Sequence, residues 1–138
     1  MSSDTYALIP PVMTVYIESN VDVMIASDTA RRAAALLDFP PIFQAKLSGA
    51  VITLSELVLK TQIPHELTVN GIQDGMRIGI QVSCPVQWLA DVDGNRVVYA
   101  LDSRIRGLVD TTECIKQGQI PIIRLTQWRP PIVKSNVR

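Results

Sequence analysis

Histidine, cysteine, glycine and tryptophan are all scarce in this 138-residue chain, and each scarcity excludes a class of site. The single histidine means that a histidine-dependent catalytic dyad could use only His65. Two cysteines and one histidine, widely spaced, make no convincing zinc set. The seven glycines form neither G-x-x-x-x-G-K-[ST] nor G-x-G-x-x-G, which excludes phosphate cradles of those types. The two tryptophans, Trp88 and Trp128, are too sparse for a base-stacking platform.

An excess of one charge and long apolar runs are also missing. The formal net charge is zero, so we expect no broad attraction to nucleic acid or to an anionic membrane. No uninterrupted apolar run approaches the roughly 20 residues of a membrane span. The N-terminus lacks the charged start and apolar centre of a signal peptide. We therefore expect a cytoplasmic protein in which Cys84 and Cys114 are free thiols and do not form a disulfide.

The chain does contain enough apolar sequence to build one folded core. It is 47% hydrophobic and 19% charged, a composition typical of a single soluble globular domain. Residues 1–12 are expected to be an irregular lead that ends near Pro10-Pro11, and residues 13–128 to be the folded domain. Residues 129–138 carry three positive charges and no negative ones, and we interpret them as a flexible, solvated tail.

Periodicity and turn signals predict the elements of the first half. Met13 to Ser19 is rich in β-branched and aromatic residues, which indicates a strand. A helix is predicted from about Val23 to Leu37. Phe39-Pro40-Pro41 must end it, because proline lacks an N–H and restricts the residue before it. A second helix is predicted for residues 42–61, with one buried stripe formed by Leu47, Val51, Leu54 and Val58.

Hairpin signals dominate the second half. The predicted elements are a strand at 65–72, a strand at 76–84, a helix at 97–113, a turn at 116–119 and a final strand at 120–128. Asp74-Gly75 joins the first two strands and is a strong hairpin turn signal. Alternation predicts that one face of the second strand carries Met76, Ile78, Ile80 and Val82. The order favours an α+β, two-layer sandwich, with about three helices on one face of a mostly antiparallel sheet.

Two isolated polar features have structural interpretations that we favour over chemical ones. The segment Asp91-Val92-Asp93-Gly94-Asn95 superficially resembles a calcium loop, but it lacks the ligand spacing and the closing glutamate. A solvated turn is the favoured interpretation. His65 lies between the helix-ending Pro64 and a strand, where we expect an exposed or capping histidine. No metal site is therefore predicted.

Three stretches, in their order and spacing, carry a resemblance to a known family. Gln44 to Val58 is similar to a long second helix, and Arg77 to Ser83 to a strand that leads into an Asp-x-Gly-x-Gly box. Arg106 to Asp110, followed by residues 118–128, is similar to a last helix, glycine turn and closing strand. Together they resemble the anti-sigma factors and bacterial switch kinases of the histidine-kinase-like ATPase superfamily. The resemblance covers residues 13–128.

The resemblance implies which residues would perform the ATP chemistry. In the family, a helical Ser-Glu-Leu supplies a glutamate that polarises water, and an asparagine four residues later binds Mg²⁺. By motif, Glu56 matches the glutamate and Lys60 replaces the asparagine. A second register, three residues earlier, is favoured by chain spacing and puts Thr53 and Leu57 at those positions. Neither an ammonium group nor a leucine ligates Mg²⁺, so both registers lack the metal ligand.

The second nucleotide motif is replaced as well. The family's aspartate binds the adenine amino group and two glycines let the backbone approach the nucleotide, whereas Ser83, Pro85 and Gln87 stand here. The glycine-rich lid is replaced by residues 95–99. These losses argue against ATP binding, and no cofactor is expected. Because empty cavities cost stability, we expect larger side chains to close the former cleft: Pro85, Val86, Trp88 and Tyr99.

The function that the resemblance implies is regulatory. Family members bind sigma factors or STAS-domain antagonists and many are dimers, so such a protein partner and a homodimer are implied. We expect a non-catalytic, protein-binding domain that has lost its ATP site. Two alternatives stay open. One is an active ATP-dependent serine/threonine switch kinase, and the other is a small-molecule sensor whose former cleft holds an apolar or thiol-reactive ligand near Cys84. A buried, inert role for Cys84 is weighed against the latter.

Overall fold

The computed structural model describes residues 6–91 and 93–131, apart from the side chain of Asp91. Its elements are β1 (Ala7–Ile17), α1 (Asn20–Leu36), α2 (Pro41–Leu59), β2 (His65–Asp74), β3 (Arg77–Pro85), a short 3-10 helix (Gln87–Asp91), α3 (Gly94–Ile105), β4 (Thr111–Gln117) and β5 (Ile120–Trp128). The predicted α+β class is confirmed, because the three α-helices accompany one five-stranded antiparallel sheet.

The sheet is built from two tight hairpins and one long edge strand. Its strand order is β1-β2-β3-β5-β4, and each neighbouring pair is antiparallel. The predicted hairpin turn at Asp74-Gly75 is confirmed, and Gly75 has φ +62°, which glycine adopts without a Cβ penalty. Gly118, with φ +65°, does the same between β4 and β5.

The core lies between the sheet and the helices. α2 contributes the predicted stripe of Leu47, Val51, Leu54 and Val58, all with 0% exposure. Opposite them, the helix-facing side of the sheet contributes Val15, Leu67, Val69, Ile80, Val82 and Leu125. Each fully buried aliphatic side chain of this kind contributes about 1.5–3 kcal/mol. This shared apolar layer is what fixes the helices on one face of the sheet.

α2 is the most apolar of the three helices. By length and composition it is the one helix, among the described residues, that could cross a membrane. The sequence-based expectation missed it because Lys46 and Glu56 interrupt every continuous apolar run. Its buried stripe packs against the sheet and against α1, where alanines such as Ala30 and Ala33 permit close approach. Of its apolar window, 33% is buried in the described structure.

The N-terminal strand is longer than expected. β1 begins at Ala7 and not at Met13, so part of the expected lead is paired with β2. Pro10 and Pro11 have no N–H to donate, and the ladder register shifts between Ile9 and Val12 to pass them. Arg129, the first residue of the expected tail, is also held in place, because its backbone N–H donates to Ile78 O at 2.7 Å. Residues 132–138 of the expected tail lie outside the described residues.

The predicted helix at 97–113 is wrong at both ends. α3 runs from Gly94 to Ile105, and Gly107, with φ +84°, turns the chain immediately afterwards. Residues 111–117 then form β4, because β-branched threonines and the Gly118 turn favour a hairpin with β5. Cys114 therefore lies within a strand and not at a helix end.

The sheet face away from the helices is polar at its centre. Alternation in β3 is confirmed for Ile80 and Val82, but Met76 precedes the strand and is 95% exposed. Facing the other way, Asn70, Gln81 and Thr126 form one row across three strands. A neighbouring row ends in the ion pair between Arg124 and Glu113, whose nitrogen and oxygen lie 3.0 Å apart.

Candidate binding groove between α2 and α3

Helix α3 is positioned by its N-terminal cap and its apolar face. Asp93 accepts a hydrogen bond from Asn95 N at 3.0 Å, satisfying one of the N–H groups that a helix start leaves unpaired. Leu101 and Ile105, one turn apart, are buried in the core. These two features hold α3 against α2 and leave a groove between the two helices.

This groove has a volume of about 380 Å³ and a mixed lining. The lining residues are Leu57, Arg96, Val97, Ala100, Leu101 and Arg104. The five that belong to α3 recur at the spacing of a single helical face. Leu57, Val97 and Leu101 are at least half-buried and make an apolar floor, whereas Arg96 and Arg104 are exposed.

The two arginines of the groove have no carboxylate partner among the residues that the structure describes. Among the described residues, no carboxylate lies within ion-pairing distance of Arg96 or Arg104. By contrast, Arg106 at the end of the same helix reaches Asp102, with nitrogen and oxygen 3.7 Å apart. The groove therefore presents two available positive charges beside apolar surface.

The two candidate registers of the first degenerate motif place different residues beside the groove. Glu56 and Lys60 are exposed, and Lys60 caps the C-terminus of α2. Leu57 lines the groove instead. One turn before it, the Thr53 hydroxyl donates to Gly49 O at 3.2 Å. Leu57 of the earlier register therefore lines the groove, whereas Thr53, Glu56 and Lys60 do not.

The second degenerate motif is dispersed. Ser83 pairs in register with Thr68 and Arg124 on the sheet face away from the helices. Pro85 is the half-buried last residue of β3, and Gln87 is exposed at the start of the 3-10 helix. None of these residues lines the groove. The structure therefore does not bring the two motifs together.

Cys84, and not Ser83, is the residue at this end of β3 that faces the helices. It has 0% exposure and belongs to the core cluster. Burial raises the pKa of the Cys84 thiol to about 12, and the negative charge of Glu66 adds to this effect. The thiol therefore stays protonated near neutral pH and is a poor nucleophile. This agrees with the inert interpretation of Cys84.

His65 is buried, which corrects the expectation of an exposed residue. It is 5% exposed, and its Nδ1 lies 2.9 Å from the Ile63 carbonyl oxygen. Trp88 Nε1 donates to His65 Nε2 at 2.8 Å. A neutral ring with its proton on Nδ1 satisfies both contacts. His65 therefore bonds the residues just before β2 through Ile63 and holds the segment after β3 in place through Trp88.

Of the four side chains expected to close the former cleft, three are buried or half-buried and one is exposed. Val86 is buried, Trp88 is half-buried against the core, and Pro85 is half-buried. Tyr99 is 72% exposed, so the prediction that it fills the interior is wrong. Tyr99 lies two residues, about 200° around the helix, before the buried Leu101, so α3 turns it toward solvent.

The remaining polar candidates have structural roles. Asp93 is the N-cap of α3, and Asp91 ends the 3-10 helix, while Val92 lies outside the described residues. Cys84 and Cys114 are both free thiols, and burial raises the pKa of Cys114. Within residues 6–91 and 93–131, no group of three or more histidine, cysteine or acidic side chains could hold a metal.

Arg96 and Arg104 were not singled out by the sequence analysis. Their signal was the spacing of two arginines around Val97, Ala100 and Leu101, which a helix starting at Gly94 places on one face. No model of a known protein family and no curated protein matches the chain.

Proposed function

We propose that this chain is a non-catalytic regulatory domain that binds a protein partner through the groove between α2 and α3. In this proposal its fold derives from the histidine-kinase-like ATPases and its nucleotide site is lost. The partner would belong to the classes that the resemblance implies, a STAS-domain antagonist or a sigma factor. The protein would be cytoplasmic, with α2 as a core helix and no affinity for nucleic acid.

One observation carries the proposal. Leu57, which replaces the family's metal-binding asparagine in the earlier register, is the α2 residue that lines the groove. An isobutyl group offers no oxygen to Mg²⁺, and phosphate transfer to a protein needs that metal to neutralise the phosphates. The arrangement of this face of α2 therefore favours contact with apolar groups over ATP chemistry.

The interior beside β3 supports the same conclusion. Cys84 faces the helices at the strand end where the family's adenine anchor is expected, and it is fully buried. Val86 and Leu89 are buried immediately after it. Adenine recognition needs a hydrogen-bonding group that the ligand can reach. A protonated, buried thiol is not such a group.

A homodimer belongs to the proposal, since the resemblance implies one. β1 is an edge strand, and beside it the outer face of α1 exposes Val21 and Met24, at 66% and 65%. An edge strand next to exposed apolar side chains is a surface that a second copy could cover. Light scattering on the purified chain checks this, with twice the mass of 15.2 kDa expected and a monomer at micromolar concentration contradicting it.

Calorimetric titration of the protein with Mg-ATP tests the loss of the nucleotide site. We expect no binding heat up to about millimolar ATP, where the binding free energy is about 4 kcal/mol. An ATP-binding member of the family, titrated in parallel, is the positive control. Micromolar binding would instead support the alternative of an active switch kinase.

A further inference from the structure

Helix α3 presents an apolar strip with a positive charge at each end. Val97, Ala100 and Leu101 form the strip, and Arg96 and Arg104 bracket it. Arginines eight residues apart on a helix are separated by about 12 Å along its axis. The small side chain of Ala100 at the centre leaves room for another backbone to approach closely.

These two arginines differ from the other arginines that the structure describes. The others have the following partners: Arg31 and Arg32 pair with Asp28, Arg77 stacks on Trp128, Arg106 pairs with Asp102, Arg124 pairs with Glu113, and Arg129 donates to Leu37 O. Within the described residues, Arg96 and Arg104 have no such carboxylate, carbonyl or ring partner. Two exposed guanidinium groups with no partner among the described residues favour an anionic occupant of the groove beside them.

The groove's shape favours a helix as that occupant. It is open to solvent on one side, and its apolar residues Val97 and Leu101 lie about one turn apart on α3, with Leu57 of α2 beside them. An amphipathic helix lays an apolar face into such a groove through residues at spacings of three and four. Acidic residues seven or eight residues apart on that helix would span about 11–12 Å, close to the separation of the two arginines.

We propose that the groove between α2 and α3 binds an acidic amphipathic helix of a protein partner. Leucine-like side chains of that helix contact Leu57, Val97 and Leu101, and its carboxylates pair with Arg96 and Arg104. This inference rests on the proposed protein-binding function and adds the chemistry of the partner. It does not depend on which partner protein supplies the helix.

A designed peptide tests the inference. The probe is a fluorescein-labelled helical peptide of about 16 residues, with a leucine strip bracketed by two glutamates about two turns apart. A matched peptide carries lysine in place of both glutamates. Fluorescence anisotropy is expected to show binding of the glutamate peptide, weakened by added salt because the rim charges are screened, and no binding of the lysine peptide.

Charge reversal identifies the surface that binds. Arg96→Glu with Arg104→Glu is expected to weaken the glutamate peptide on the order of tenfold or more and to restore binding of the lysine peptide. Arg32→Glu makes the same charge change on α1 and is expected to leave affinity unchanged. Circular dichroism confirms that each variant is folded. Leu57→Ser removes the apolar contact and adds no charge. It is expected to weaken binding of the glutamate peptide to the original protein and of the lysine peptide to the charge-reversed protein.

Three results overturn the inference. They are no binding of the glutamate peptide, binding that the double reversal leaves intact, and arginine-dependent binding of a fatty acid such as laurate without binding of the peptide. The last result would identify a small-molecule site. Failure of the proposed function is distinguished by the Mg-ATP titration, since nucleotide binding contradicts lost ATP chemistry whatever the peptide does.

Discussion

Replacing Cys84 with aspartate tests whether the end of β3 borders a water-free core or a ligand-binding cleft. In a nucleotide cleft, a carboxylate at this position would be hydrated or would bind the base. In the structure, Cys84 has 0% exposure, and its thiol donates to the Pro85 carbonyl oxygen at 3.8 Å. We therefore expect Cys84→Asp to destabilise the fold strongly, although the two side chains are similar in size.

The loss should be moderate in acid and larger at neutral pH. A buried, unpaired carboxyl costs about 1–3 kcal/mol even when protonated. Burial and the nearby Glu66 carboxylate would raise its folded-state pKa, just as they raise that of Cys84. The unfolded state then binds fewer protons above about pH 4, so stability falls by about 1.4 kcal/mol per pH unit until the raised pKa is reached. The pH-dependent part of the loss at pH 7 is therefore at most about 4 kcal/mol, added to the cost already present in acid.

Urea unfolding at several pH values measures this loss. Ser83→Asp is the matched control, because Ser83 is half-buried on the opposite sheet face and pairs in register with Arg124. The control is expected to change the unfolding free energy by about 1 kcal/mol or less. The reasoning is refuted if Cys84→Asp is as stable as the control, or if its stability does not fall between pH 4 and pH 7.

Three further predictions concern other residues. Replacing His65 with phenylalanine leaves the Trp88 N–H without an acceptor, and urea unfolding should show a loss of about 1–3 kcal/mol; an unchanged midpoint contradicts the buried contact. Gly79→Ala puts a Cβ 2.7 Å from Trp128 Cε3, so a similar loss and altered tryptophan fluorescence are expected, and a silent substitution argues against this packing. Glu56→Gln, at an exposed position, should change stability by about 0.5 kcal/mol or less and leave peptide binding intact, whereas loss of binding would return this residue to the site.

The fold was largely predictable because its signals are local. The α2 stripe at helical spacing, the Asp74-Gly75 turn and the proline break after α1 each specify structure within a few residues. β4 was missed because its assignment depends on pairing with β5, and its sequence also fits a helix face. Asp93 and Gly107 set the start and the end of α3. In the sequence these two signals are weaker than the apolar periodicity, which carried the predicted helix on to residue 113.

The candidate site was much less predictable. A motif fixes residue types, but only the fold decides which face of α2 meets α3. Glu56 fits the motif by letters and points to solvent, whereas Leu57 lines the groove. Similarly, strand alternation turns Ser83 away from the helices and Cys84 toward them. The arginine pair becomes visible only when charge partners are known, because pairing is a tertiary property.

Amide chemical-shift mapping by NMR tests the central claim most directly. Separate titrations of the labelled protein with Mg-ATP and with the glutamate peptide would report every contacted backbone group. We predict that the peptide shifts amides at Leu57 and at residues 96–104, and that Mg-ATP shifts none of them. Saturable shifts with Mg-ATP around Thr53 and Cys84 would contradict the account, because they would show a functional nucleotide site between the helices and the sheet.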